Sequence, residues 1–162
     1  MRSVAIAIAL LALSGCISPN QGRPVVYDDF PVAEYQALPT SGSGRISGQV
    51  FMKTRGGQLK LGAGKDVALI PATSYTAALR RAYEESRPIV APDPRLLAYT
   101  RHAQADSDGN FVFTQVPAGR YYLTSEVTWE AQTKFGPATQ GGFILTPVTV
   151  SEGQEARVKV TR

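Results

Sequence analysis

From Arg45 onward, apolar and polar residues alternate in short runs. In ISGQVFMK (46–53), Ile46, Gly48, Val50 and Met52 fall on one side, and Ser47, Gln49, Phe51 and Lys53 on the other. A period of two is the mark of a half-buried strand. DVALIP, closed by Pro71, predicts a second strand, RLLAYTRHAQAD a third and FVFTQV a fourth. In YYLTSEVTW, Tyr121, Leu123, Ser125, Val127 and Trp129 share a face. FILTPVTV and ARVKV complete the set, with Ala156, Val158 and Val160 turned inward and Arg157 and Lys159 outward.

Turn chemistry separates these runs. TRGGQLKLGAGK (54–65) predicts a long glycine-rich turn. SDGN (107–110), PAG (117–119) and SEGQ (151–154) predict tight ones, and 130–142 a glycine-containing loop. Gly109 suits a positive φ. One stretch has a different period. Tyr75, Leu79 and Tyr83 recur at every fourth position with Ala78 and Ala82 beside them. That spacing predicts an amphipathic helix over 73–86. Thr73 or Ser74 caps its start, and Pro88 disfavours helix just before it. Arg80, Arg81, Glu84 and Glu85 then face water, with Arg80 and Glu84 spaced to pair.

About seven short strands with Gly/Pro turns predict an all-β protein, a seven-stranded Greek-key β-sandwich with an inserted helix near 73–86. Residues 45–162 suit one such domain. Upstream, 17–44 carries Pro19, Pro24, Pro31 and Pro39 and ends in SGSG. That composition opposes helix and sheet and predicts a flexible tether. The alternative for VVYDDF (25–30) is docking on the domain surface.

The start of the chain has its own pattern. Met1 and Arg2 precede a wholly apolar run from Val4 to Leu13, followed by Ser14 and Gly15. This is the form of a secretory signal peptide, here residues 1–15, and too short to span a bilayer as a helix. The chain has 162 residues, a net charge of +4 and a single cysteine, Cys16, so no internal disulfide is possible. LSGC at the end of the apolar run resembles the lipobox of bacterial lipoproteins. The resemblance implies a diacylglyceryl group on the Cys16 sulfur and cleavage between Gly15 and Cys16. Residues 16–44 are then the lipidated N-terminus and tether. Ile17, rather than Asp, implies outer-membrane sorting, with the domain expected in the periplasm.

Taken together, G.I.G.V near the start of the domain, ADSDGNFVFTQVPAGRYYL in its middle and V.V.EGQEARVKV at its end resemble the carboxypeptidase regulatory-like domain, of transthyretin- or prealbumin-like fold. The middle motif is the most specific, with Asp106, Gly109, Phe111, Phe113, Val116, Pro117, Gly119 and Tyr121 in order. The resemblance implies a folded module rather than an enzyme. The helix at 73–86 departs from the simple family pattern.

The search for chemistry excludes more than it finds. His102 is the only histidine, which argues against a zinc or Cys–His site. DSDGN lacks the ligands of a calcium loop, since the twelfth position from Asp106 is Pro117. In GGQLKLGAGK the phosphate-loop spacing fails, because Leu59 stands where the first glycine belongs and Asp66 follows Lys65. No serine-nucleophile elbow is present. No enzyme, cofactor or metal is expected, and no nucleic-acid partner in an exported protein.

Charge changes the picture slightly. Between Arg45 and Arg101 stand ten basic and four acidic residues, a surface that suits an anionic glycan, lipid head groups or an acidic protein. Tyr75, Arg80, Arg81 and Tyr83 on the inserted helix are the candidate interaction surface. Tyr99, Tyr122 and Trp129 are further candidates for stacking. The first reading is an outer-membrane-anchored, non-catalytic accessory or structural module that contacts an envelope protein. The alternative is a binding module for envelope polysaccharide or another anionic polymer.

Overall fold

A computed structural model describes residues 22–162. The elements run α1 (Val32–Gln36), β1 (Gly44–Lys53), β2 (Leu59–Leu61), β3 (Asp66–Pro71) and α2 (Thr76–Glu84). A 3-10 turn (Pro94–Tyr99) follows, then β4 (Arg101–Gln104), β5 (Asn110–Val116), β6 (Gly119–Thr133), β7 (Gly136–Val150) and β8 (Glu155–Val160). They build two four-stranded sheets. In the first, β1 pairs antiparallel with β2 and β5 and parallel with β8. The second is antiparallel in the order β4-β3-β6-β7. The expected all-β sandwich with an inserted helix is therefore present, with eight strands among the described residues instead of seven.

The inner faces meet as the alternation requires. Ile46, Val50, Val67, Leu69, Leu123, Val127, Ile144 and Val160 are almost wholly buried between the sheets, with Phe111 and Phe113 beside them. Each such side chain contributes about 1.5–3 kcal/mol of burial free energy. The two phenylalanines meet edge to face at 5.9 Å, an arrangement aromatic rings favour.

A second core lies on the opposite face of the β3-β6-β7 sheet. Ile70, Tyr122 and Leu145 point outward there and are covered by Tyr75 just before α2, Leu79 of α2, Leu96 of the 3-10 turn, and Phe30 and Tyr35. The last two belong to the segment expected to be a tether. Val25, Phe30 and Tyr35 are all buried, so packing of the described chain begins by Val25 rather than at Arg45. The prolines do fix an irregular path, but they do not prevent docking by single large side chains. Val25 N–H donates to Pro88 O at 2.9 Å, and Arg87 donates to the carbonyls of Arg23 and Pro24.

The helix caps are local. Thr73 Oγ1 accepts from Thr76 N–H at 3.2 Å, and Thr76 Oγ1 accepts from Thr73 N–H at 2.9 Å, a reciprocal arrangement akin to a capping box. At the other end Ser86 turns left-handed at φ 52. Ser86 N–H then reaches Tyr83 O, and Arg87 N–H reaches Ala82 O. This is a Schellman termination without its usual glycine.

Three further expectations change. Leu59–Leu61, inside the expected turn, forms β2 against Phe51–Lys53 of β1. The first half of RLLAYTRHAQAD is the 3-10 turn, initiated by Pro94 and capped by Asp93, whose carboxylate accepts Arg95 N–H. Residues 130–142 are not a loop. They extend the β6–β7 ladder to Thr133 and Gly136. Gly141, at φ 92, is required there because a Cβ would come within 2.1 Å of Val127 O and 2.7 Å of the Trp129 ring. The glycine marks a close approach, not a break in the strand.

Candidate functional site

At one end of the sandwich the docked N-terminal segment (residues 25–42, the strap), the 3-10 turn, β4 and the β5–β6 turn surround a concave groove. Its larger recess, of about 860 Å³, is lined by Tyr35, Gln36, Tyr99, Arg101, Gln115 and Tyr121, with the Thr40–Gly42 and Pro117–Gly119 backbones at its edges. A smaller recess of about 430 Å³ adjoins it and includes Glu34, Ser74, Arg80 and Thr149. Ala72, Arg120 and Tyr121 line both.

Each wall has a cause. Tyr35 is anchored by the buried hydrogen bond between its hydroxyl and that of Thr73. Its ring sits 4.8 Å from Tyr99 and stacks on Phe30 at 4.4 Å. Arg95 covers the Phe30 ring at 4.6 Å. Tyr121 OH donates to Pro117 O at 2.9 Å and ties the turn to β6. Burial pushes the Tyr35 and Tyr121 hydroxyls above the ordinary phenol value, so both remain protonated at neutral pH.

Arg101 is fixed by neutral groups. Its guanidinium donates to Thr114 O at 2.7 Å and Gln115 O at 3.2 Å, and lies 6.0 Å from the Phe113 ring. Gln115 has φ 54, uncommon for a residue other than glycine. At the turn beside the groove, Glu152 accepts from Ser43 Oγ–H, Ser43 N–H and Ala118 N–H. The hydrogen bonds from Ser43, then that from Ala118, hold its carboxyl below the usual range.

The four candidate residues at α2 do not share one exposed face. Tyr75 is buried, and its hydroxyl accepts Asp93 N–H at 2.7 Å. Tyr83 is half-buried, with its ring edge-on to Phe143 at 5.9 Å. The stripe that predicted the helix is its inward face, and Tyr75 and Tyr83 pack against the second core. Arg81 is exposed, and Arg80 pairs with Glu84 at 2.7 Å while lining the smaller recess. Tyr122 is buried, Trp129 half-buried against the inner core, and of the further stacking candidates Tyr99 lines the groove.

His102 Nδ1 lies 2.8 Å from Asp66 Oδ2 in an exposed pair across β3 and β4. Among the described residues no group of three His, Cys, Asp or Glu side chains is placed to hold a metal ion. None of the described helices is long and apolar enough to cross a membrane. Gly15 and Cys16 lie outside the described residues. The sequence pattern does not mark Tyr35, Arg101, Gln115, Arg120 or Tyr121 as binding residues. Of these only Arg120 and Tyr121 fall within a local motif, the proline turn of Val116–Tyr121, which reads equally well as a plain turn.

These features define a β-sandwich module with an aromatic, polar groove at one end. A solved structure from Pseudomonas aeruginosa, PA1324, described as a candidate carbohydrate-binding protein, is 38% identical, with a TM-score of 0.76, over 85% of this chain and 100% of that one. The chain belongs to the same family as PA1324. The minor pilin GBS52 of Streptococcus agalactiae matches at 16% identity and a TM-score of 0.40, over 75% of this chain and 44% of that one, too distant to inform the site. No family model matches the chain. No curated protein matches it either.

Proposed function

We propose that the chain is a non-catalytic carbohydrate-binding module of the cell envelope, with the Tyr35–Tyr99–Tyr121 groove as its binding site. The family relationship to PA1324 and the groove's composition support this alternative above a purely structural role. The observation that carries it is the juxtaposition of Tyr99, Tyr121 and Gln115 around one recess. Sugars present apolar C–H faces that lie on aromatic rings and hydroxyls that pair with amides and backbone groups. The module is held to the outer membrane by a lipid on Cys16, with its domain in the periplasm. Several acyl chains give stable anchoring where one gives only weak binding.

Titration of the protein with a panel of envelope glycans tests the site. Tyr99→Ala should weaken glycan binding about tenfold; because Tyr99 also packs on Tyr35, the titration is run below the variant's lowered melting temperature, with circular dichroism confirming the fold. Saturable binding that Tyr99→Ala leaves intact would move the site elsewhere.

A protein-contact reading retains one specific observation. Phe135, at the tip of the β6–β7 hairpin, is 89% exposed, and Lys134 lies 4.9 Å from its ring. Crosslinking from position 135 in intact cells should recover one reproducible envelope protein if this tip is a contact; scattered products would reject it.

A further inference from the structure

We propose that the groove is selective for acidic glycans, with Arg120 as the residue that reads a sugar carboxylate and Arg101 as a fixed second positive charge. This inference deepens the carbohydrate reading and rests on it.

The charge balance of the lining is the first observation. The larger recess contains Arg101 and Arg120 and no aspartate or glutamate. The adjoining recess adds Arg80 and Glu34. Glu34 is engaged by Ser74, whose N–H donates to Oε1 at 2.9 Å and whose hydroxyl bonds Oε2. Glu152, behind the Pro117–Gly119 turn, is likewise occupied by Ser43 and Ala118. Both nearby carboxylates thus accept hydrogen bonds from the protein.

The second observation is how the arginines are held. Arg101 spends its two terminal nitrogens on the carbonyls of Thr114 and Gln115. Those bonds set its position without cancelling its charge. Arg120 makes no ion pair among the described residues, is exposed, and lines both recesses. A guanidinium without a carboxylate partner keeps a planar fork of donors, which matches a carboxylate bidentately. Arg80 differs, since its Nε is committed to Glu84.

Position gives the third. Arg120 stands where the recesses join, next to Tyr121. Both residues line both recesses, so a sugar bound where the recesses join meets the guanidinium, to which a uronic acid offers a carboxylate where a neutral sugar has only a hydroxymethyl group. A uronic-acid polymer repeats that group along its length and gains from both arginines. A neutral polymer keeps the stacking and loses the charge-assisted bonds.

Calorimetric titration of the protein with hexamers of galacturonic and glucuronic acid, each against its carboxyl-reduced counterpart, tests this. At least one acidic hexamer should bind ten times or more tighter than its reduced form, with the difference shrinking as salt rises. Arg120→Gln should lower acidic-hexamer affinity about tenfold and leave the neutral one unchanged. Arg81→Gln, on the exposed side of α2, should change neither. Equal affinity for acidic and reduced hexamers overturns the charge selectivity and leaves the carbohydrate site standing. Equal losses from Arg120→Gln and Arg81→Gln overturn it as well, since they indicate nonspecific charge attraction. Failure of every hexamer, acidic and reduced, rejects this inference together with the groove as a site for such sugars.

Discussion

The hydroxyls of Tyr35 and Thr73 lie 2.8 Å apart in a buried hydrogen bond. The bond joins the proline-rich N-terminal segment to the loop that starts α2. Thr73 in turn shares its hydroxyl with Thr76, whose own hydroxyl donates to Pro71 O at 2.7 Å. A single polar chain thus connects the strap, the helix cap and the end of β3, and one wall of the groove is built on it.

Tyr35→Ala removes both the ring and the bond. A loss of about 3–5 kcal/mol is expected, the range for deleting a large buried aromatic. Tyr35→Phe keeps the packing and should lose about 1 kcal/mol. Urea unfolding of the two variants checks the split; equal effects would show that the hydrogen bond, not the ring, carries the strap.

Gly48 is held by the neighbouring strand. A Cβ there would meet Val158 O at 2.1 Å and the Phe111 ring at 3.0 Å, while Gly48 is paired with Val158 in the parallel β1–β8 ladder. Gly48→Ala should cost about 1–3 kcal/mol, as overpacking does, and open that ladder. Hydrogen exchange at residues 156–160 should speed up more than at 121–125; uniform change would place the damage elsewhere.

Asp93 provides an acid-side signature. Its side-chain and backbone hydrogen bonds from Arg95 lower its pKa from 3.8 to about 2. A depressed folded-state value contributes stability above the unfolded value that is lost as pH falls through the folded one. The contribution should therefore be complete above pH 4 and disappear toward pH 2. NMR titration of the Asp93 carboxylate should give a midpoint near 2, and Arg95→Gln should move it toward 3.8. An unchanged midpoint would remove Arg95 as the cause.

Cys16→Ser tests the proposed anchor. Fatty-acid labelling should vanish and uncut precursor should accumulate, while the circular dichroism of the domain stays the same. Equal labelling of wild type and variant rejects lipidation at this cysteine.

The inner core is legible in the order of residues alone. Ile46 and Val50, Leu123 and Val127, and Val158 and Val160 announce their faces by a period of two, because a strand with one buried face must alternate. The tyrosine and leucine spacing of α2 was equally legible, since a helix exposes one stripe to the core. Tertiary structure decided the second core and the groove. On β6 the period of two marks Leu123 and Val127, but Tyr122 and Thr124 on the other face are buried as well, because α2 and the strap cover a face that alternation reads as exposed. The strap docks through Val25, Phe30 and Tyr35, isolated side chains with no period to reveal them. The groove brings together Tyr35, Tyr99, Arg101, Gln115 and Arg120, residues from separate segments whose meeting depends on the packing of α1, the 3-10 turn and the β5–β6 turn, which no local pattern encodes.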